Sequence, residues 1–161
     1  MEQQTMNASK TAEAYVSIFQ LQNGIFENAM NGIDDEVALQ RPGNVNHINW
    51  LLGHVTTCRY MLANQIGLKI EDPYGKLYFS AISDEAEYPN LEAISKSWDT
   101  ITPKLLDFIG NLNEVDLERE IPGNGVEIKN LIAFFSYHEA YHLGQIAYAR
   151  KLLGVTPMKP Y

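Results

Sequence analysis

The sequence predicts an all-α four-helix bundle, and three observations carry that reading. Four stretches repeat apolar residues at alternating steps of three and four. Turn formers gather between those stretches, as in Arg41-Pro42-Gly43-Asn44 and Ile121-Pro122-Gly123-Asn124-Gly125-Val126. The 161 residues, 45% hydrophobic and 20% charged, show no repeat or composition break, so one domain over 1–161 with a single core is expected.

The first helix is expected from about Ser9 to Met30, with Ser9 as N-cap and Tyr15, Ile18, Phe19, Ile25, Phe26, Ala29 and Met30 facing inward. The second runs from about Val45 to Ile66, burying Ile48, Leu51, Leu52, Val55 and Leu62, and Gly67 stops it as a C′ residue. A long connection, LKIEDPYGKLYFSAISDEAEYPN, follows; it is long enough to cross a bundle or to lie over a site. The third helix, about Asn90 to Leu112, presents Leu91, Ile94, Trp98, Ile101, Leu105 and Phe108, with Pro103 predicting a kink or break near Thr102. Residues Ile121 to Val126 read as a tight turn between two short extended pieces. The fourth helix, about Ile128 to Leu153, is expected to turn a seam of Leu131, Phe135, His138, His142, Gln145, Ala149 and Leu152 toward the core.

Charge excludes several function classes. Twelve basic against twenty acidic residues give a formal charge of −8, which repels phosphate backbones and anionic lipid, so neither nucleic acid nor a membrane is an expected partner. No basic, then apolar leader opens the chain, and no run reaches the roughly 18 apolar residues of a membrane span. Cys58 is the only cysteine and cannot form an internal disulfide. A soluble, cytoplasmic protein is expected.

The stretch His138-Glu139-Ala140-Tyr141-His142 reads as H-E-x-x-H, the zinc-peptidase signature. Residues i and i+4 stack on one helix face, so both imidazoles can reach one ion. The extended peptidase pattern needs a third histidine where Tyr148 stands, and no Asp, Glu or His follows His142. A third ligand must therefore lie upstream, and His54 is the best candidate, although an interior histidine bonded to a carbonyl accounts for it equally in kind. Cys58, at i+4 from His54, is a fourth-ligand candidate or a small buried apolar group. His47 lies about 10 Å from His54 along a helix and is expected near the helix start, solvated. Glu139 is turned about 100° from His138, which favours a solvated or dimer-facing carboxylate over a general base. Trp50, Trp98, Phe134, Phe135, Tyr137 and Tyr141 are expected in the core or a pocket wall.

The pieces Trp50-x-x-Gly53-His54 and His138-x-x-x-His142-x-Gly144-Gln145, in this order and on four helices, resemble the DinB/YfiT-like superfamily. The resemblance implies a bundle of up-down-down-up topology, whose crossover between helices 2 and 3 is the long connection after Gly67. It also implies a divalent metal, zinc or nickel, on His54, His138 and His142, and a homodimer. Pro103 is outside that pattern. Relatives use low-molecular-weight thiols such as bacillithiol, mycothiol or glutathione, which points to a metal-dependent thiol S-transferase acting on a small molecule. A metal-dependent hydrolase and a non-catalytic metal-binding dimer are the alternatives. Gln145, one turn beyond His142, is a candidate for orienting the ligand or cosubstrate, or a buried amide bonded to a carbonyl.

Overall fold

The protein is described here by a computed structural model covering residues 9–159; residues 1–8 and 160–161 of the expected domain lie outside the described residues. Helix α1, Lys10–Met30, starts where the Ser9 hydroxyl accepts from the Thr11 and Ala12 amides, 3.0 and 3.2 Å, satisfying two of the donors a helix start leaves open. The same hydroxyl donates to Glu114. After the single turn α2, Asp35–Ala38, helix α3 spans Ile48–Ile66 and stops at Gly67, whose φ of 116° only glycine adopts without strain. The connection that follows contains one 3-10 turn, Leu77–Phe79. Helix α4 is Leu91–Gly110, α5 is Glu114–Glu118 and α6 is Ile128–Leu152. Before α6, the Ile121 amide donates to Val126 and Glu120 pairs with Glu127, the short extended pieces expected around that turn.

Helix α1 packs against α4 and α6, and α3 packs against the same two, so α1 and α3 stand diagonally across the bundle. Both ends are filled by apolar groups: Phe19, Leu62, Leu105 and Ile132 at one, Phe26, Leu52, Val55 and Ile146 at the other. Trp98 stacks on Phe26 at 3.8 Å. Among the described residues no helix is long and apolar enough to cross a membrane.

Several expectations need correcting. Ile18 is 41% exposed, because α1 turns Phe19, Gln22 and Phe26 inward instead. Helix α4 runs unbroken through Pro103, which lies on the exposed face, where solvent can take over the carbonyl that proline leaves without a donor. On α6 the buried stripe is Ile128, Ile132, Phe135, Glu139, Leu143 and Ile146, rotated from the expected seam, so Leu152 is exposed and the histidines sit on the flank facing α3.

That rotation buries Glu139, at 2% exposure, rather than leaving it solvated or dimer-facing. Its carboxylate accepts from Arg59 of α3 through Nη2 and Nε, 2.6 and 2.9 Å. Burial raises the Glu139 carboxyl and Arg59 opposes that shift. The same guanidinium donates to Thr102 Oγ1 of α4, 2.7 Å, and to the Phe19 carbonyl of α1, 3.2 Å, and lies 3.5 Å from the Trp98 ring centroid. One side chain thus touches all four long helices. A second buried arginine, Arg150, ties the C-terminal segment down by donating to the carbonyls of Ala29, Asn31 and Thr156.

Candidate metal centre

Helix spacing places His138 and His142 one turn apart on α6, and α3 brings His54 opposite them. The Nε2 atoms converge: His142 to His138 is 3.1 Å and His54 to His138 is 3.5 Å. Each residue offers a ligand atom within 4.8 Å of the other two. Two nitrogens bound at about 2.1 Å to one ion, at a tetrahedral angle, stand about 3.4 Å apart. The trio therefore fits a single ion as it stands.

Neighbouring acceptors fix which nitrogen of two rings carries the proton. His54 Nδ1 donates to the Tyr78 carbonyl at 2.7 Å, and His142 Nδ1 donates to Gln145 Oε1 at 2.7 Å, leaving both Nε2 lone pairs toward the centre. Gln145 Nε2 in turn donates to the Tyr141 hydroxyl, 3.1 Å. His138 Nδ1 is buried without a partner among the described residues. Burial lowers His54 to about 4, its carbonyl partner opposing and the other two histidines adding to the effect. Burial likewise lowers His138 and His142, so all three rings are neutral at physiological pH, the form that ligates a metal.

The residues around His54 explain its motif. Trp50 lies flat on the His54 ring at 4.7 Å with a 9° tilt, fixing its plane. Gly53 is where the Tyr78 ring meets α3: a Cβ at that position would lie 2.0 Å from Tyr78 Cζ. The absent side chain thus admits the ring whose own carbonyl orients His54. The Tyr78 hydroxyl donates to Asn49 Oδ1, 3.3 Å, completing the anchor. Sequence reasoning missed Tyr78; its one signal was a glycine inside a helix, where glycine normally weakens the helix.

The remaining candidates fall elsewhere. His47 is not solvated: it is 4% exposed, caps α3 by accepting the Trp50 amide at Nδ1, 2.8 Å, and meets Tyr88 edge-on. The reason is local, since a helix start needs an acceptor and the imidazole supplies it. The Cys58 Sγ lies 3.7 Å from His54 Nε2, yet burial pushes its thiol up to about 12, so it stays protonated. Glu139, held by Arg59, is unavailable as the base a zinc peptidase needs. Trp98 and Phe135 are core, whereas Tyr137 is exposed on the outer face of α6. Phe79 and Tyr141, both exposed, meet His54 and His142 edge-on at 5.7 and 5.1 Å, and exposed Phe134 lies against His138 at 5.7 Å, so neutral rings edge the centre.

Comparison with known proteins agrees with this architecture. The crystal structure of a conserved protein from Enterococcus faecalis superposes with a TM-score of 0.66 at 14% identity, over 91% of this chain and 98% of that one, a likeness of fold. No functionally curated protein matches the chain. The sequence profile of the DinB superfamily matches residues 19–146, a span holding all three converging histidines. On that match the chain belongs to the DinB superfamily.

Proposed function

We propose that the chain is a metalloenzyme whose His54, His138 and His142 hold one divalent ion, zinc or nickel, and which transfers a low-molecular-weight thiol to an electrophilic small molecule. The convergence of three Nε2 atoms, each on a neutral ring, is the observation that carries this reading. Three neutral imidazoles leave a bound ion its full charge and an open position, the setting that lowers the proton affinity of a thiol. The transfer itself needs the thiol to lose its proton to solvent, form one sulfur–carbon bond and release the electrophile's leaving group with its bonding pair. The protein's own part is positional. The Tyr78 carbonyl and Gln145 hold the protons on Nδ1 of His54 and His142, and Phe79 and Phe134 offer an apolar electrophile an uncharged wall. With Cys58 protonated, no fourth protein ligand closes the centre as a purely structural metal site requires. We further propose a cytoplasmic homodimer, with Ile18 and Leu21 of α1 and Tyr137 of α6 providing exposed apolar surface for the second copy.

The test begins with metal content of the untagged protein by mass spectrometry, wild type beside His54→Ala. Near-stoichiometric metal in the wild type and its loss in the variant are expected. The loaded protein is then given bacillithiol, mycothiol or glutathione with halogenated and epoxide electrophiles, and thiol consumption is followed. Metal without consumption of any thiol would remove the transferase assignment and leave the metal site standing; little metal after reconstitution would remove both.

A further inference from the structure

Beyond the histidines, a cavity of about 540 Å³ opens between α6 and the chain leading into α3, and neither the metal reading nor the thiol reading assigns it a role. That is the size of a small-molecule site. Its polar lining comes from Asn44, Asn46, Tyr141, Gln145 and Tyr148, with Leu51 as part of the apolar wall. A Cβ on Gly144, which also lines it, would meet nothing within 4 Å, so the cavity owes part of its room to that glycine.

The lining decides what fits. No charged side chain is among the lining residues, so a carboxylate or phosphate would find no cation, in a chain of net charge −8. A cationic ligand would find no carboxylate there. A purely apolar ligand would strip water from amides and hydroxyls without replacing its bonds. What remains is a neutral ligand that both donates and accepts. Amide side chains and tyrosine hydroxyls each do both, as sugar hydroxyls do, and tyrosine rings offer faces to the C–H side of a sugar. A nucleobase edge offers fewer, fixed positions.

We propose that this cavity binds a neutral glycosyl ring, and that its occupancy is felt at the metal centre. The link is on the page: the Tyr141 hydroxyl lining the cavity accepts from Gln145 Nε2, and Gln145 Oε1 accepts from His142 Nδ1. A ligand hydroxyl bonded to Tyr141 extends a chain that ends on a histidine of the trio. This second half rests on the metal reading; the binding itself does not.

Binding is therefore measured first on the metal-free chain, by saturation-transfer NMR and calorimetry, with methyl glucoside, methyl galactoside, N-acetylglucosamine and sucrose. Glucuronate, glucosamine and adenosine serve as charged and nucleobase competitors. At least one neutral glycoside binds, the charged sugars and adenosine bind more weakly, and Gly144→Leu weakens the glycoside about tenfold or more while keeping the wild-type helical signal and melting behaviour. Binding of none of the four, equal or better binding of glucuronate or adenosine, or undiminished binding by Gly144→Leu overturns the assignment, whatever the metal content. In cobalt-loaded protein, saturating glycoside shifts the visible cobalt bands, and Tyr141→Phe abolishes the shift. Bands that do not move with a bound glycoside overturn the coupling alone.

Discussion

Replacing Gly53 with alanine sets two effects of opposite sign against each other. In a helix interior, glycine to alanine stabilises by about 1 kcal/mol when nothing else is touched. At Gly53 the new Cβ lands 2.0, 2.1 and 2.4 Å from Cζ, Cε1 and Cε2 of Tyr78, a side chain with no exposed surface. Ordinary carbon contact needs about 3.5 to 4.0 Å, so the ring must retreat by roughly 1.5 to 2 Å. Inserting bulk into a packed site costs about 1 to 3 kcal/mol, which outweighs the propensity gain over most of that range. The retreat also draws the Tyr78 carbonyl from His54 Nδ1, now 2.7 Å away, and losing such an orienting bond costs about 10- to 100-fold in metal affinity. Urea denaturation and competitive zinc titration, run on Gly53→Ala and on the same change in a Tyr78→Ala background, read both effects. The single variant should lose stability and zinc affinity, whereas with the ring gone the alanine should stabilise by about 1 kcal/mol. A Gly53→Ala protein as stable as wild type and with equal zinc affinity would refute the anchoring role of Tyr78.

Three further outcomes follow from the geometry. Glu139→Ala strands the Arg59 guanidinium in the core and should cost about 3 to 5 kcal/mol by chemical denaturation; a loss under about 1 kcal/mol would contradict the pairing. His47 is lowered to about 4, chiefly by burial, so the unfolded chain binds its proton first as pH falls, and the stability it contributes is present above about 6.5 and lost between there and 4. His47→Asn keeps a capping acceptor without titrating, and its melting temperature should fall less steeply over that window than wild type; identical slopes would sink this assignment. Cys58 should resist a thiol-specific disulfide reagent at pH 8 in the folded protein and react on unfolding, because it is buried and protonated; rapid reaction in the native state would count against both.

The four long helices were legible because each repeats its apolar residues over five turns or more, enough for a face to emerge. Helices α2 and α5, of four and five residues, are too short for periodicity and announce themselves only by their caps, Asp34 and Asn113. The histidine trio was readable because two of its members share one helix face and nothing downstream of His142 could supply the third. Glu139 was misread because the histidines were taken as the centre of the buried face, when Phe135, Glu139 and Leu143 are; a rotation within one helix is set by its neighbours. Tyr78 stayed hidden for a different reason, since its contact with Gly53 joins an irregular segment to a helix 25 positions earlier, a distance no local pattern spans.

The guanidinium of Arg59 has a consequence for motion. Because it bonds α6, α4 and α1 from its seat on α3, no long helix can swing away alone without leaving a buried charge or carbonyl bare. Amide exchange in the middle of the four helices should therefore proceed as one cooperative unit, at the cost of global unfolding. Entry and exit at the histidines then fall to the parts Arg59 does not hold, the segment carrying Phe79 and the exposed ring of Phe134, which can rearrange on fast timescales while the scaffold beneath them stays shut.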